Sequence, residues 1–223
     1  MNRNMKIAID GPAGAGKSTV AQKVAKELDI LYIDTGAIYR AVTLAAVRRN
    51  IDLGNEDVLS SLAEEISIEM VQDNKKLYRI FMDGSEVTEE IRKPQISRQV
   101  SQVAKIPGVR ESLLEKQRDM ASLGGVVMEG RDIGTKVFPE ADFKFFLTAA
   151  PEERARRRYN ELVASGYQVD WNTLLSEIKE RDRIDSTRKT APLVPAPNAM
   201  IIDCSQMNIE EVVDIIVSRV TGR

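Results

Sequence analysis

The residues best placed to do chemistry form one contiguous run, Gly11-Pro12-Ala13-Gly14-Ala15-Gly16-Lys17-Ser18, followed by Thr19. Glycine at the first, fourth and sixth positions lets successive backbone N–H groups curve around phosphate oxygens, and a helix starting behind them adds the positive end of its dipole. Lys17 supplies a point charge for the β- and γ-phosphates, and the Ser18 hydroxyl is an oxygen ligand for Mg²⁺. The expected ligands are therefore ATP and Mg²⁺. A merely structural glycine-rich turn is the alternative reading, and the strand-to-helix context stands against it. The loop leaves the acceptor of the phosphate open, because unrelated reactions share this cradle. The chain has neither a DxxG nor an NKxD motif, the signatures of switch and guanine readout in GTPases.

Four further groups carry charge at suggestive places. In Asp34-Thr35-Gly36-Ala37-Ile38-Tyr39-Arg40, a helix starting near Gly36 directs Thr35 toward a ligand crevice and sets Arg40 one turn in. The apolar run Val126–Met128 ends in Glu129-Gly130-Arg131-Asp132, at the carboxyl end of an expected strand, where open parallel sheets bind ligands. Arg154, Arg157 and Arg158 share a helical face behind Pro151, and Arg181, Asp185 and Arg188 fall on one continuous helical stripe. Each helix by itself is also compatible with salt-bridge lacing, and Arg40 with a solvated position. ATP and a second phosphate together bring several negative charges. A chain of net charge −2 must neutralise them with local arginines.

The elements that position these residues follow from the apolar runs. Lys6–Asp10, Leu31–Asp34, Val126–Glu129, Phe143–Leu147 and Met200–Asp203 are short and apolar with helical patterns between them, which predicts five parallel strands. Ser18–Leu28 places Val20, Val24 and Leu28 at helical spacing. Ile66–Thr88 alternates instead, with turn signals at Asp73-Asn74 and Asp83-Gly84, and predicts a small antiparallel hairpin sheet. Pro94 and Pro107 bracket one helix, Gly108–Ser122 forms another, and Ile209–Val220 closes the chain as an amphipathic helix. Residues about 63–123 therefore look like an insertion in the strand and helix pattern.

Composition excludes other chemistry. There is no histidine, so imidazole triads and the usual zinc sites are ruled out, and one cysteine permits no intrachain disulfide. Phosphoryl transfer loses nothing by this, since it depends on positioning, lysine, arginine and Mg²⁺. No apolar run is long enough to span a membrane, and the opening MNRNMKIAID falls short of a secretory signal, so a cytoplasmic location is expected. The absence of a basic excess argues against a nucleic-acid partner. A monomer is expected.

As a set, Ile9-Asp10 with the loop through Thr19, Asp34–Arg40, Gly130-Arg-Asp-Ile-Gly134, Glu180-Arg-Asp182 and Ala191-Pro-Leu-Val194 resemble the bacterial cytidylate kinases, a branch of the nucleoside monophosphate kinases. The resemblance covers nearly the whole chain. It implies an α/β fold, the P-loop nucleoside monophosphate kinase fold, with a five-stranded parallel sheet in a core of residues 1–62, 124–150 and 186–223, an NMP-binding insertion at 63–123, and a mobile arginine-bearing LID with its flanking helices at 151–185. It implies transfer of the γ-phosphate of ATP to CMP or dCMP. Thr35, Arg40, Arg131 and Arg188 are then expected around the acceptor nucleotide and its phosphate, Ser101, Arg110 and Asp132 at the cytosine ring, and Arg181 and Asp185 at the sugar. Arg154, Arg157 and Arg158 belong to the LID over the transferred phosphate, with Lys17, Arg131, Arg157 and Arg188 as the catalytic charges. Relatives often carry aspartate where this chain has Glu129, and some carry serine in place of Thr35; both exchanges keep the oxygen chemistry. Rival readings are a kinase for uridylate, adenylate or shikimate, and a nucleotide-dependent RNA-binding regulator.

Overall fold

The computed structural model describes residues 4–73, 78–122 and 124–222. It divides into two compact units, one formed by Met1–Ile33 with Ala121–Arg223 and the other by Asp34–Met120.

The first unit is built on β1 (Lys6–Asp10), β2 (Leu31–Asp34), β6 (Val126–Gly130), β7 (Phe143–Thr148) and β8 (Met200–Asp203), in the order β2-β6-β1-β7-β8. These are the five predicted strands. The central ones read as unbroken apolar runs because both faces are covered: Ile7, Ala8, Ile9, Val126, Val127, Met128 and Leu147 are fully buried. Register pairs Asp10 with Gly130 on one side and with Phe146 on the other, so the carboxyl ends of β1, β6 and β7 lie level. That shared edge carries the polar residues. Helices α1 (Lys17–Leu28) and α8 (Ile209–Thr221) pack together, and α1 also packs on β6.

Two more helices of this unit, α6 (Pro151–Ala164) and α7 (Trp171–Thr187), bury a small core of their own from Ala155, Leu162, Leu174 and Ile178. Proline opens α6 at its first turn, where its missing N–H costs nothing, and the Asp170 carboxylate caps α7 by accepting from the Thr173 amide at 2.8 Å. The predicted stripe on α7 is one residue too long. The helix ends at Thr187, and Arg188 is its capping residue, with extended backbone (φ −61°, ψ 142°). The Pro192–Pro197 stretch that follows cannot continue a helix and leads into β8.

The second unit holds α2 (Thr35–Arg48), α3 (Glu56–Glu65), the antiparallel strands β3 (Ile68–Gln72), β4 (Tyr78–Met82) and β5 (Ser85–Glu86), and helices α4 (Pro94–Ala104) and α5 (Pro107–Met120). The predicted hairpin sheet is present, with Ile68 opposite Met82 and Met70 opposite Ile80, and Asp83-Gly84 turns β4 into β5. The other turn signal, Asn74, lies outside the described residues. Within this unit α4 packs on α2 and α5 packs on α3, around Ile38, Val42, Leu59, Val103 and Leu113.

Candidate active site

In the first unit the loop Gly11–Ser18 joins β1 to α1 at the carboxyl edge of the sheet. Gly11 cannot be replaced without distortion: a Cβ there would lie 2.0 Å from the Leu147 carbonyl oxygen, so β7 crowds the loop against its strand. Lys17 is buried, and its ammonium donates to the Pro12 carbonyl at 2.8 Å. Burial, reinforced by the nearby positive Arg131, pulls its pKa down to about 7. Ser18 donates a short hydrogen bond to Glu129, which also accepts from the Tyr32 hydroxyl at 3.2 Å. Pairing of Ile9 with Glu129 across β1 and β6 is what delivers this carboxylate to the loop. Thr19, next in line, is exposed at the start of α1.

Ser18 and Glu129 together present hard oxygen donors, the chemistry Mg²⁺ selects. Among the described residues no group of three or more His, Cys, Asp or Glu side chains could hold a metal ion. A two-donor site of this kind suits Mg²⁺, which takes most of its coordination from phosphates and water.

Beside the loop stands a cluster of opposite charges. Arg131 donates from Nε to Asp185 at 2.9 Å, and its Nη1 reaches the Gly130 carbonyl at 3.3 Å. Arg188 stands 3.8 Å from Asp132 and 3.9 Å from Asp185, and donates to the Ala191 carbonyl at 2.7 Å. Burial alone would raise the Asp185 carboxyl, but Arg131, Arg181 and Arg188 outweigh it and hold the carboxyl below its ordinary value. Arg131, Asp132, Arg181, Asp185 and Arg188 are therefore one electrostatic group, drawn from the β6 end and the end of α7.

The three arginines of α6 do not act as one face. Arg154 points inward, to Ala149, Ala13 and Asp182. Arg157 donates to Glu153 at 3.0 Å and to the Cys204 carbonyl at 2.6 Å, and its Nη1 approaches within 4.0 Å of where a Gly16 Cβ would stand. Arg158 pairs with Glu161 on its own helix.

In the second unit Asp34 caps α2 by accepting from the Ala37 amide at 2.9 Å, and its other oxygen takes Arg40 Nη2 at 2.9 Å. Thr35 is buried at the first helical position. The Nε of Arg40 is buried with no hydrogen-bond partner among the described residues, an exception to the rule that buried polar groups are paired. Arg110 lies over the Tyr39 ring at 5.3 Å and donates to the Ala104 carbonyl at 2.9 Å, while Ser101 is buried on α4. Helices α2, α4 and α5 thus carry Thr35, Arg40, Ser101 and Arg110 within one unit.

Two functional groups escaped the sequence reading. Asp10 is buried at the end of β1 and accepts from the amides of Ile133 and Gly134, both at 2.8 Å, so it anchors the turn that carries Arg131 and Asp132. Burial raises its pKa to about 6 despite those hydrogen bonds. The signal was there, since Asp10, like Glu129, is a carboxylate at the end of a buried strand. Tyr32, which steadies Glu129, gave no such signal because a buried aromatic residue in a strand is ordinary.

Comparison with known proteins agrees with this geometry. The cytidylate kinase family model matches residues 7–222. A cytidylate kinase of Pelotomaculum thermopropionicum is 60% identical over 222 residues, covering 100% of this chain and 98% of that protein. One from Bacillus subtilis (strain 168) is 48% identical over 220 residues, covering 99% and 98%. Among solved structures, a gluconokinase from Sinorhizobium meliloti 1021 superimposes with a TM-score of 0.51 at 13% identity, covering 100% of this chain and 94% of that one, a likeness of fold alone. With the family match running from the first strand through the last helix, over every residue of the phosphate loop and the charge cluster, the chain belongs to the cytidylate kinase family.

Proposed function

We propose that this chain transfers the γ-phosphate of ATP to CMP or dCMP, giving ADP and CDP or dCDP. The observation that carries the reading is that one sheet edge holds both a phosphate loop, with Lys17 buried in it, and the Arg131–Asp185–Arg188–Asp132 cluster beside it. A phosphate loop alone would suit many reactions. The adjacent cluster supplies what a phosphorylated acceptor requires.

The acceptor phosphate is already anionic, so its oxygen attacks the γ-phosphorus in line without a strong general base. Gly11 to Thr19 bind the donor phosphates, and Lys17 regains its full charge as those phosphates approach. Ser18 and Glu129 would hold Mg²⁺, which when bound neutralises charge on the β- and γ-phosphates. Residues 151–185 supply the LID and its flanking helices, residues 63–123 the acceptor-side insertion, and Arg157 faces the donor phosphates from α6. Arg131 and Arg188 stabilise the transferring group, and closure keeps water, the competing acceptor, away.

For the acceptor, Arg181 and Asp185 take the sugar, and Thr35 and Arg40 the acceptor phosphate. Ser101, Arg110 and Asp132 read the base. The Asp132 carboxylate accepts from the 4-amino group of cytosine and repels the carbonyl that uracil carries there. An unpaired buried acceptor costs about 1–3 kcal/mol, roughly a ten- to hundredfold preference. Contacts to the 3′-hydroxyl tolerate the loss of the 2′-hydroxyl, hence activity on dCMP. No helix among the described residues is long and apolar enough to cross a membrane. A coupled ADP-release assay with Mg²⁺ and CMP, dCMP, UMP or AMP tests this. CMP and dCMP should lead the series, whereas equal rates with UMP or AMP, or binding of CMP without turnover, would overturn it.

A further inference from the structure

Arg154 is 2% exposed, and its guanidinium is engaged inside the protein. Nε donates to the Ala149 carbonyl at 2.8 Å and Nη1 to the Ala13 carbonyl, within the phosphate loop, at 3.0 Å. Nη1 and Nη2 also grip both oxygens of Asp182 on α7, at 3.0 and 2.5 Å. The end of β7, the phosphate loop and α7 therefore meet on one planar group. A second contact reinforces the link. A Cβ at Gly14 would stand 3.1 Å from Arg154 Cβ and 3.3 Å from the Arg154 carbonyl oxygen, so the loop rests directly on the first turn of α6.

What lies beyond Asp182 gives the link its meaning. Asp182 follows Arg181 and precedes, by one helical turn, the Asp185 that holds Arg131. A bidentate arginine–carboxylate pair fixes a plane as well as a distance. Any shift of α7 thus turns the guanidinium away from the Ala13 carbonyl, and a shift of the loop is felt at α7. Four hydrogen bonds to protein leave Arg154 one of its five N–H donors, too few for a phosphate clamp.

We propose that Arg154 is a positioning residue that keeps the phosphate loop in register with the acceptor-bearing end of α7, so that the transferred phosphoryl and the attacking oxygen stay in line. This rests on the kinase reading above, and it gives Arg154 a task different from that of Arg157 on the same helix.

The test uses Arg154→Lys, whose single ammonium cannot span the three sites a planar fork reaches, and Asp182→Asn, which keeps shape and weakens the charged pair. With ATP and CMP, each variant should lose about tenfold or more in kcat while both KM values move by less than about threefold, because misplacement by about 1 Å costs on the order of a hundredfold in rate. With ATP alone, Asp182→Asn should keep any transfer to water at the wild-type rate, since water needs no register with α7 and the Arg154 bond to the Ala13 carbonyl remains. The double variant should be no slower than the slower single variant, as befits two residues acting through one contact. Unchanged kcat in both variants, with only the melting temperature lowered, would overturn the proposal by leaving a structural tie. So would parallel loss of CMP transfer and hydrolysis in Arg154→Lys with Asp182→Asn fully active, which would put the guanidinium on the phosphoryl group itself. Should Arg154→Lys fail to fold, the two rates of Asp182→Asn decide the matter. A wild-type protein that does not phosphorylate CMP overturns the kinase reading instead, and shows this without any variant.

Discussion

Replacing Asp10 by asparagine separates two opposed influences on one buried carboxylate. Burial favours the protonated form, whereas the Ile133 and Gly134 amides and the charge on Lys17 favour the ionised form. Burial wins, and the carboxyl sits at about 6 in the folded protein against an ordinary value of 3.8. A folded-state pKa above the unfolded one means that the native state binds the proton more tightly. Asp10 therefore contributes stability below about pH 4 that fades as pH rises to 6 and is gone above it. Each tenfold change in proton affinity is about 1.4 kcal/mol, so the full swing is about 3 kcal/mol. The amide side chain of Asp10→Asn does not titrate and has no such swing. It carries instead a constant penalty of about 1–3 kcal/mol, because its oxygen accepts from one of the two N–H groups while its NH₂ faces the other.

The expected outcome is a gap that widens as pH falls. At pH 7 the variant should be less stable than the wild type by the constant penalty alone, and at pH 4 by that penalty plus about 2.5 kcal/mol of the swing. For a chain of this size that change corresponds to about 5–10 °C in melting temperature. The single tryptophan, Trp171, lies on α7 in the same unit as Asp10, so its fluorescence follows the relevant unfolding. Comparing two proteins at each pH cancels the other carboxylates. Parallel melting curves from pH 4 to 7 would refute the claim that Asp10 is perturbed at all. A difference moving the opposite way would show that the two amides and Lys17 outweigh burial.

Three other outcomes follow from the same site. Lys17 is held near 7 before substrate arrives, and phosphates restore its proton, so ATP binding at pH 8 should take up close to one proton, read as a buffer-dependent heat in calorimetry, and at pH 6, where Lys17 is already charged, the smaller uptake should come from Asp10. Glu129→Gln should raise the Mg²⁺ concentration for half-maximal activity by about ten- to hundredfold, the usual cost of losing a group that orients a metal ligand, and normal Mg²⁺ dependence would remove Glu129 from the site. Gly11→Ala should abolish ATP binding and lower the melting temperature, because its Cβ would stand 2.0 Å from the Leu147 oxygen, and an intact ATP affinity would show that β7 yields.

The parts of this protein that could be read from sequence are those in which neighbouring residues do one job. The phosphate loop is contiguous. The parallel strands announce themselves as apolar runs because both faces are buried, and Asp83-Gly84 marks its turn locally. What the sequence withheld depends on partners far along the chain. Arg154, Arg157 and Arg158 look alike at helical spacing, yet only Arg154 finds an oxygen 141 residues away and a carboxylate 28 residues away, and these turn it inward. Asp10 likewise binds amides 123 and 124 residues distant. Arg188 keeps the stripe's spacing, but the run toward Pro192 ends the helix before it, and the Ala191 carbonyl and Asp132 then set its direction.

A histidine-free chain still has groups poised near neutrality, and their placement has a consequence for substrate binding. Asp10 and Lys17 start from 3.8 and 10.5 and are driven toward one another, to about 6 and about 7, by burial at the same strand-to-helix junction. Burial penalises whichever form is charged, so it raises the acid and lowers the base. An anionic phosphate entering the loop acts differently, for it favours the protonated form of both groups. Proton uptake on ATP binding should therefore peak between the two unliganded values and those of the complex, with Lys17 dominating above pH 7 and Asp10 contributing below it. The junction binds a polyanion by completing a charge that the empty fold had suppressed, which gives the phosphate loop a preference for phosphate over neutral ligands beyond that of its backbone amides.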